Sequence, residues 1–491
     1  MNAYRSLASR FRRLAALREA AGLLNWDLST VMPEGGATAR GEQLAALDVT
    51  CHELLSCAQV SDLLDEAEAA AAALDPWARS NLAEMRRRWR HATALPADLV
   101  EARAKANSCC ETAWRRARPA ADFSAVRREL EAVLKLTREA AAAKSDALGC
   151  APYDALLDEY EPAASAERID ALFARLSAFL PDLVLAIEER QKRAPQPLEP
   201  DGPFLRAKQE ALARTLMTML GFDFKHGRLD VSLHPFCGGV PEDVRITTRY
   251  DEADFTSALM GVLHETGHAL YERGLPAEHR LQPVGEARGM ALHESQSLLI
   301  EMQACRSRAF VGYLAPLARE AFGGSGPAWE ADNLHRLYTR VERGFVRVDA
   351  DEATYPAHVI LRYRLERELV AGGLAVADLP AAWNAAMAEL LGVTPPDDRL
   401  GCLQDIHWYD GAWGYFPTYT MGALAAAQLF AAARAAIPEL ETAIGRGDFA
   451  PLLAWLRREI HGRASLLSTD ALIESASGRP LGVEAFRRHL E

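Results

Sequence analysis

Residues 256–276 read TSALMGVLHETGHALYERGLP. Leu259, Val262, Leu263 and Leu270 recur at three- and four-residue spacing, and Gly274 followed by Pro276 supplies a stop, so the stretch is expected to be one helix. Inside it lies His264-Glu265-Thr266-Gly267-His268, an HExxH. A spacing of four puts two imidazoles on one helix face, one turn apart. Both can then reach one ion at ~2.0–2.1 Å. Glu265 projects ~100° round the helix from its neighbour, so it can reach a water beside the metal without becoming a ligand. The alternative is a helix with two solvated histidines. Gly267 costs about 1 kcal/mol against alanine within a helix; it implies close access beside the metal or a close helix crossing.

Zinc needs a third protein ligand. Residues 285–310, GEARGMALHESQSLLIEMQACRSRAF, form a second amphipathic pattern. If the two helices run antiparallel, joined through 274–285, and the second starts near Glu286, the position level with His268 falls within 291–295. The candidates there are His293 and Glu294. They are adjacent, so only one can face the metal, and spacing alone does not choose. Two neutral histidines plus one carboxylate favour Glu294, leaving His293 behind the ligands or against substrate.

Outward from this pair, most of the chain reads helical. Segments 3–24, 38–58, 61–73, 76–91, 97–117, 122–147 and 166–193 carry apolar residues at helical spacing, filled with Ala, Leu, Arg and Glu. The exception is 227–250, where Leu229, Val231 and Leu233 alternate, as do Val244, Ile246, Thr248 and Tyr250, around Gly238-Gly239 and Pro241. That pattern predicts a β-hairpin packed on helices. The Pro-rich APQPLEPDGP at 194–203 divides the chain. The expected architecture is mostly α: residues 1–200 form a helical section and 201–491 the catalytic section of one integrated unit, with a small sheet near the site.

Composition narrows the function classes. Hydrophobic residues make up 49% and charged residues 25% of the 491, enough to fold around a core. The 68 acids exceed the 55 bases for a net charge of -13, the wrong sign for a nucleic-acid binder. Eight scattered cysteines without a CxxC pair indicate reduced thiols rather than a disulfide framework. The N-terminus has arginines but no uninterrupted apolar run, so no signal peptide is read. MGALAAAQLFAAARAAI at 421–437 is interrupted by Gln428 and Arg434 and reads as a buried helix, not a span. The expectation is a cytoplasmic protein that engages neither membrane nor nucleic acid.

Further stretches accompany the HExxH in order: His234-Pro235-Phe236; Asp243-Val244-Arg245-Ile246-Thr247; His293-Glu294-Ser295-Gln296; Val346-Arg347-Val348-Asp349-Ala350-Asp351-Glu352; and Gly401-Cys402-Leu403-Gln404-Asp405-Ile406-His407-Trp408. With WDLSTVMP at 26–33 and GYFPTYTMG at 414–422, the set resembles the carboxypeptidase Taq family of zinc metallocarboxypeptidases over essentially the whole chain. Val346 stands where that family more often has Ile. The resemblance implies a helical fold divided by a deep groove with zinc at its floor, and a homodimer. It also implies removal of single residues from peptide C-termini with broad specificity. It matches His264, His268 and Glu294 to the ligands of one Zn2+ per chain, for which Co2+ can substitute, and Glu265 to the general base. The stretches holding His234 and Arg245 match elements that close one end of the groove.

Peptide hydrolysis requires donors for the developing oxyanion besides the metal; His407, Tyr415 and Tyr419 are the candidates. A structural hydrogen bond is the alternative for a buried tyrosine. A carboxypeptidase must also hold a free terminal carboxylate, which suits the planar fork of arginine. Arg347 ranks first because a motif surrounds it, then Arg245 beside the groove closure, with Arg249 also available. The alternative for Arg347 is an ion pair, with Asp349 or Asp351 near in sequence. Two other readings are an oligo-endopeptidase with an open groove and a helical peptide-binding scaffold with a degenerate metal site; the intact Glu265 weighs against the scaffold.

Overall fold

The computed structural model describes residues 2–232 and 234–491, and among these the regular structure is helical apart from three short strands. The periodic segments become helices Asn2–Thr30, Ala37–Ser56, Ala58–Ala69, Pro76–Thr93, Ala97–Ala120, Arg127–Leu148 and Ala166–Arg193. Their starts follow local chemistry. The Asp75 carboxylate accepts from the Ala78 amide ahead of Pro76, and the Ser165 hydroxyl accepts from Arg168, satisfying amides that no helical carbonyl reaches. The apolar stretch at 421–437 lies in helix Pro417–Ala436, buried on nearly every face. No helix among the described residues is long and apolar enough to cross a membrane.

The sheet differs from the expected hairpin. Strand β1 (Gly227–Val231) pairs parallel with β3 (Asp243–Thr248), setting Leu229 opposite Ile246. Strand β2 (Cys237–Val240) pairs antiparallel with the other side of β3, giving the order β1-β3-β2. The two alternating runs are therefore parallel neighbours, and the true hairpin is β2–β3. Alternation reports which side chains face the core, here Leu229, Val244 and Ile246, but not strand direction. Gly238 and Gly239 sit in β2 and not in a turn; a Cβ on Gly239 would lie 2.1 Å from the Asp243 carbonyl oxygen. Leu233 lies outside the described residues.

One apolar core extends from Cys110 to Phe486, and the first helices enclose a second, from Ala3 to Met85. The link between Arg193 and Arg206, which holds the Pro-rich break at 194–203, therefore joins two portions of one core. The N-terminal core meets the body through polar contacts that grip the link between the two expected metal helices. Asn81 bonds the Gln282 side chain and the Val284 amide. Arg88 forks onto Glu286, and Arg288 pairs with Glu84.

Candidate metal centre

The first metal helix runs Phe255–Gly274, started by Asp254 capping the Thr256 amide. The second starts at Met290, four residues later than expected, after Gly289 at φ 52°. A Cβ on Gly289 would strike the Glu161 carboxylate, which holds the Ala291 amide. The helices are antiparallel, as contacts at three levels record: Tyr271 with Arg288, His268 with His293, His264 with Glu301. The crossing is tight because Gly267 lies against backbone: a Cβ there would be 2.6 Å from the Gln296 carbonyl oxygen. Of the two explanations for Gly267, helix crossing is the one the structure supplies.

His264, His268 and Glu294 bring one donor atom each within 4.8 Å of one another, the one such group of three among the described residues. Nε2 of His268 is 3.5 Å and Nε2 of His264 is 4.0 Å from Oε2 of Glu294. A tetrahedral ion with ligands at ~2.0–2.1 Å spaces its donors ~3.4 Å apart, so the set fits one ion after a small contraction. Two imidazoles and one carboxylate leave a fourth position free for chemistry. The three side chains are 13–20% exposed, so solvent reaches the site. Gly422 in helix Pro417–Ala436 presses on the third donor; a Cβ there would meet Cβ and Cγ of Glu294 at 2.8 Å.

Each histidine turns its other nitrogen to a partner. Nδ1 of His264 is 2.9 Å from Glu301, which in turn holds Arg306 at 2.6 Å. Nδ1 of His268 is 2.7 Å from Nδ1 of His293, whose Nε2 is 2.9 Å from Glu272. This orders the protons: His268 donates to His293, and His293 donates to Glu272, leaving both Nε2 lone pairs for the ion. Both nitrogens of His293 are thus committed, so it stands behind the ligands and has none left for substrate. Glu301 and Glu272 were not legible as site residues. Each lies at helical spacing from a ligand, two turns beyond Glu294 and one beyond His268, and that was the available signal. Glu301 falls in a π-helical segment, Leu299–Cys305, a departure often found at functional sites.

Three carboxylates, Glu294, Glu301 and Glu265, bear on the His264 imidazole and favour positive charge there, whether a proton or an ion. Burial lowers His264, but the hydrogen bond to Glu301 and the charge of Glu294 raise it to about 10. Burial raises Glu294, opposed by His264. His268 is held down by burial and by His293. Glu265, buried beside the donors, is raised to about 7 by burial, opposed by the charge of His264. The thiol of Cys237 in β2 is raised by burial and then by Glu265 and Glu272, which sets the sheet beside the motif.

Beside the donors lies a second group. Arg347 donates to Asp405 from Nε and Nη2 at 3.1 and 2.7 Å, its amide donates to Gln404, and its guanidinium stacks 4.6 Å over Tyr419. Arg362, fully buried, shares Asp405 and Gln404. The ion-pair partner of Arg347 is therefore Asp405, not Asp349 or Asp351; the latter caps the turn before helix Tyr355–Ala371. Two arginines on one aspartate leave a net positive charge, and that charge is felt by Glu294. Tyr355 lies beside Arg347: burial raises its hydroxyl, opposed by the charge of that guanidinium, and it was missed in the sequence. Nε2 of His407 is 3.2 Å from the Tyr419 hydroxyl. Burial takes His407 down to about 4 against the pull of Asp405, so it is neutral at pH 7. Tyr415 packs edge-on to Tyr419 at 5.2 Å and to Tyr160 at 5.0 Å.

The other two candidates stand apart. Arg245 pairs with Asp243 at 2.6 Å and stacks 4.5 Å over Trp26 of the first helix. His234 is exposed in the link between β1 and β2, and its carbonyl accepts from Ser232. Among the described residues neither forms a hydrogen bond or ion pair with His264, His268 or Glu294.

The model of the carboxypeptidase Taq (M32) metallopeptidases matches residues 6–491. Thermostable carboxypeptidase 1 of Thermus thermophilus is 38% identical, covering 100% of this chain and 98% of that protein. Thermostable carboxypeptidase 1 of Pyrococcus furiosus is 34% identical over 99% and 97%. Among solved structures, metallocarboxypeptidase 1 of Trypanosoma cruzi superposes with a TM-score of 0.98 at 41% identity, covering 100% of this chain and 99% of that one. The M32 carboxypeptidase of Deinococcus radiodurans gives 0.92 at 36% over 100% and 98%. The donor set, the cationic group beside it and likeness along the full length agree: the chain belongs to the carboxypeptidase Taq (M32) family and is a metallocarboxypeptidase acting on peptides.

Proposed function

We propose that the chain removes single residues from free peptide C-termini, with broad specificity, around one Zn2+ held by His264, His268 and Glu294. The observation that carries this reading is the three-donor set beside a buried cationic group of one net charge. When bound, the ion supplies Lewis acidity to a carbonyl oxygen and to a water molecule. Glu265 then takes a proton from the attacking water and delivers it to the departing amine nitrogen. The Tyr419 hydroxyl, oriented by His407, and Tyr415 donate to the developing oxyanion. Arg347, with Asp405 occupying Nε and Nη2, offers Nη1 to the terminal carboxylate, and Arg362 keeps the group positive. His293 and Glu272 hold His268, and Glu301 holds His264. Arg245, with His234, acts at one remove by securing the sheet against Trp26 at the closed end of the groove, for which residues 1–200 furnish one wall.

Free thiols at all eight cysteines support work in the reducing cytoplasm; the homodimer rests on the family resemblance alone. The test is product mass spectrometry on a peptide with both ends intact, before and after chelation. Products should shorten one residue at a time from the C-terminus. The chelator should abolish this, and about one equivalent of Zn2+, or Co2+ in its place, should restore it. Internal fragments as first products would support an oligo-endopeptidase, and full activity without metal would overturn the reading. Sedimentation would report the dimer.

A further inference from the structure

Behind the metal helices lies a separate cavity of about 810 Å3, and neither the metal donors nor Arg347, His407, Tyr415 or Tyr419 line it. Helix Pro417–Ala436 gives the distance. Gly422 touches Glu294, whereas Phe430 and Arg434 line the cavity, eight and twelve residues on, or ~12 and ~18 Å along the axis.

Its walls carry six arginines: Arg190, Arg306, Arg308, Arg336, Arg340 and Arg434. The four lining carboxylates are already engaged. Asp351 accepts from the amides of Glu342, Ala353 and Thr354. Glu352 accepts from Gln303 and pairs with His489. Glu441 pairs with Arg434, and Glu491 with Arg487. Arg306 is held by Glu301, while Arg308 and Arg340 form exposed pairs with Asp332 and Glu342, which hold loosely. Among the described residues Arg336 pairs with no carboxylate, and its buried Nε has no acceptor. Arg190 is exposed and reaches only a main-chain oxygen of Glu491, at 3.5 Å. Among the described residues, two guanidiniums that pair with no side-chain carboxylate thus line one cavity in a chain of net charge -13. His335 on its wall is lowered by burial and then by the charge of Arg308. Ile187, Met302 and Phe430 add apolar surface, and the volume suits a small organic molecule.

We infer that this cavity binds an organic dianion, an apolar body bearing two phosphate, sulfate or carboxylate groups that pair with Arg336 and Arg190. Two structural links carry occupancy to the metal centre. Arg306 holds Glu301, and Glu301 holds Nδ1 of His264; an anion competing for Arg306 alters the charge set against that ligand. The strip 347–355 has Arg347 and Tyr355 at the substrate side and Asp351, Glu352 and Ala353 on the cavity wall.

Naphthalene-1,5-disulfonate is a suitable probe, since sulfonates chelate metal poorly. Titrated calorimetrically into the metal-loaded protein, it should bind one equivalent, more tightly than naphthalene-1-sulfonate. Arg336→Ala should weaken it about tenfold, the loss of one charge-assisted hydrogen bond. Arg190→Glu, a change at an exposed side chain that leaves folding intact, should weaken it at least as much. Both variants should hydrolyse peptide normally without the probe. With saturating peptide, the probe should change turnover in the parent and not in the variants. No binding, binding in both variants as tight as in the parent, or displacement by peptide substrate would overturn the site. Binding with no change in turnover would overturn the link through Arg306.

Discussion

Glu301 spans Nδ1 of His264 and the guanidinium of Arg306. Burial raises its carboxyl, but Arg306 and His264 prevail and hold it at about 2, so it is charged at neutral pH. Replacing it with glutamine keeps the shape and removes the charge that fixes the tautomer of His264. Glu301→Gln should weaken metal binding about 10–100-fold, measured by competition with a chromophoric chelator. Glu272→Gln acts through His293 and should cost less; an equal or larger loss would mean that His293 does not relay its hold. Arg347→Ala tests the opposite side of the site. It should slow hydrolysis of free-acid peptides by a factor equivalent to ~1.5–3 kcal/mol, a hydrogen bond to a charged group. Amides should be affected less, since they lack the negative charge. An unchanged acid-to-amide ratio would return Arg347 to a structural ion pair with Asp405.

Two glycines of the helix Phe255–Gly274 separate helix propensity from helix packing. Nothing lies within 4 Å of a Cβ built on Gly261, whereas one built on Gly267 would be 2.6 Å from both the Gln296 carbonyl oxygen and Ser297 Cα. Gly261→Ala should stabilise by up to about 1 kcal/mol through propensity. Gly267→Ala gains the same propensity but must push the crossed backbones apart, and should lose about 1–3 kcal/mol net. It should also loosen the metal, because the crossing holds His268 level with Glu294. Thermal unfolding midpoints with and without metal would check both; a stable Gly267→Ala would mean that the helices are not so tightly crossed. The π-helical turn at Leu299–Cys305 matters at this scale too, since it carries the Glu301 that meets His264.

Glu366 ties distant regions of the molecule together. It accepts from the Tyr153 hydroxyl at 2.8 Å, Trp408 Nε1 at 2.6 Å and the Gly414 amide at 2.5 Å. These donors favour the carboxylate, yet burial dominates and raises the group from 4.5 to about 7. A carboxyl raised in the folded state favours the protonated native form. Its contribution is therefore complete below the unfolded value of 4.5 and is lost as pH rises through about 7. The change is worth roughly 3 kcal/mol at the extremes. Glu366→Gln cannot titrate, so the unfolding midpoint of the metal-free protein should fall less between about pH 5 and 8 than in the parent. An identical fall in both proteins would assign the dependence to other groups.

Helical periodicity determined most of the helices, because burial repeats every 3.6 residues along a helix and the chain writes that pattern locally. The HExxH placed two candidate metal donors and the neighbouring acid for the same reason: one helix turn sets all three positions. Geometry narrows the third candidate donor to two adjacent residues, and donor chemistry favours Glu294. What needed the tertiary structure are the contacts between elements remote in sequence. Asp405 meets Arg347 across 58 residues, and Asn81 reaches across 203 residues to the link between the metal helices. The parallel pairing of β1 with β3 is of the same kind, since strand direction depends on the path of the link and not on alternation. Hydrogen-bond partners such as Glu301 and Glu272 leave only a weak spacing signal, because their role exists only once two helices have crossed at Gly267.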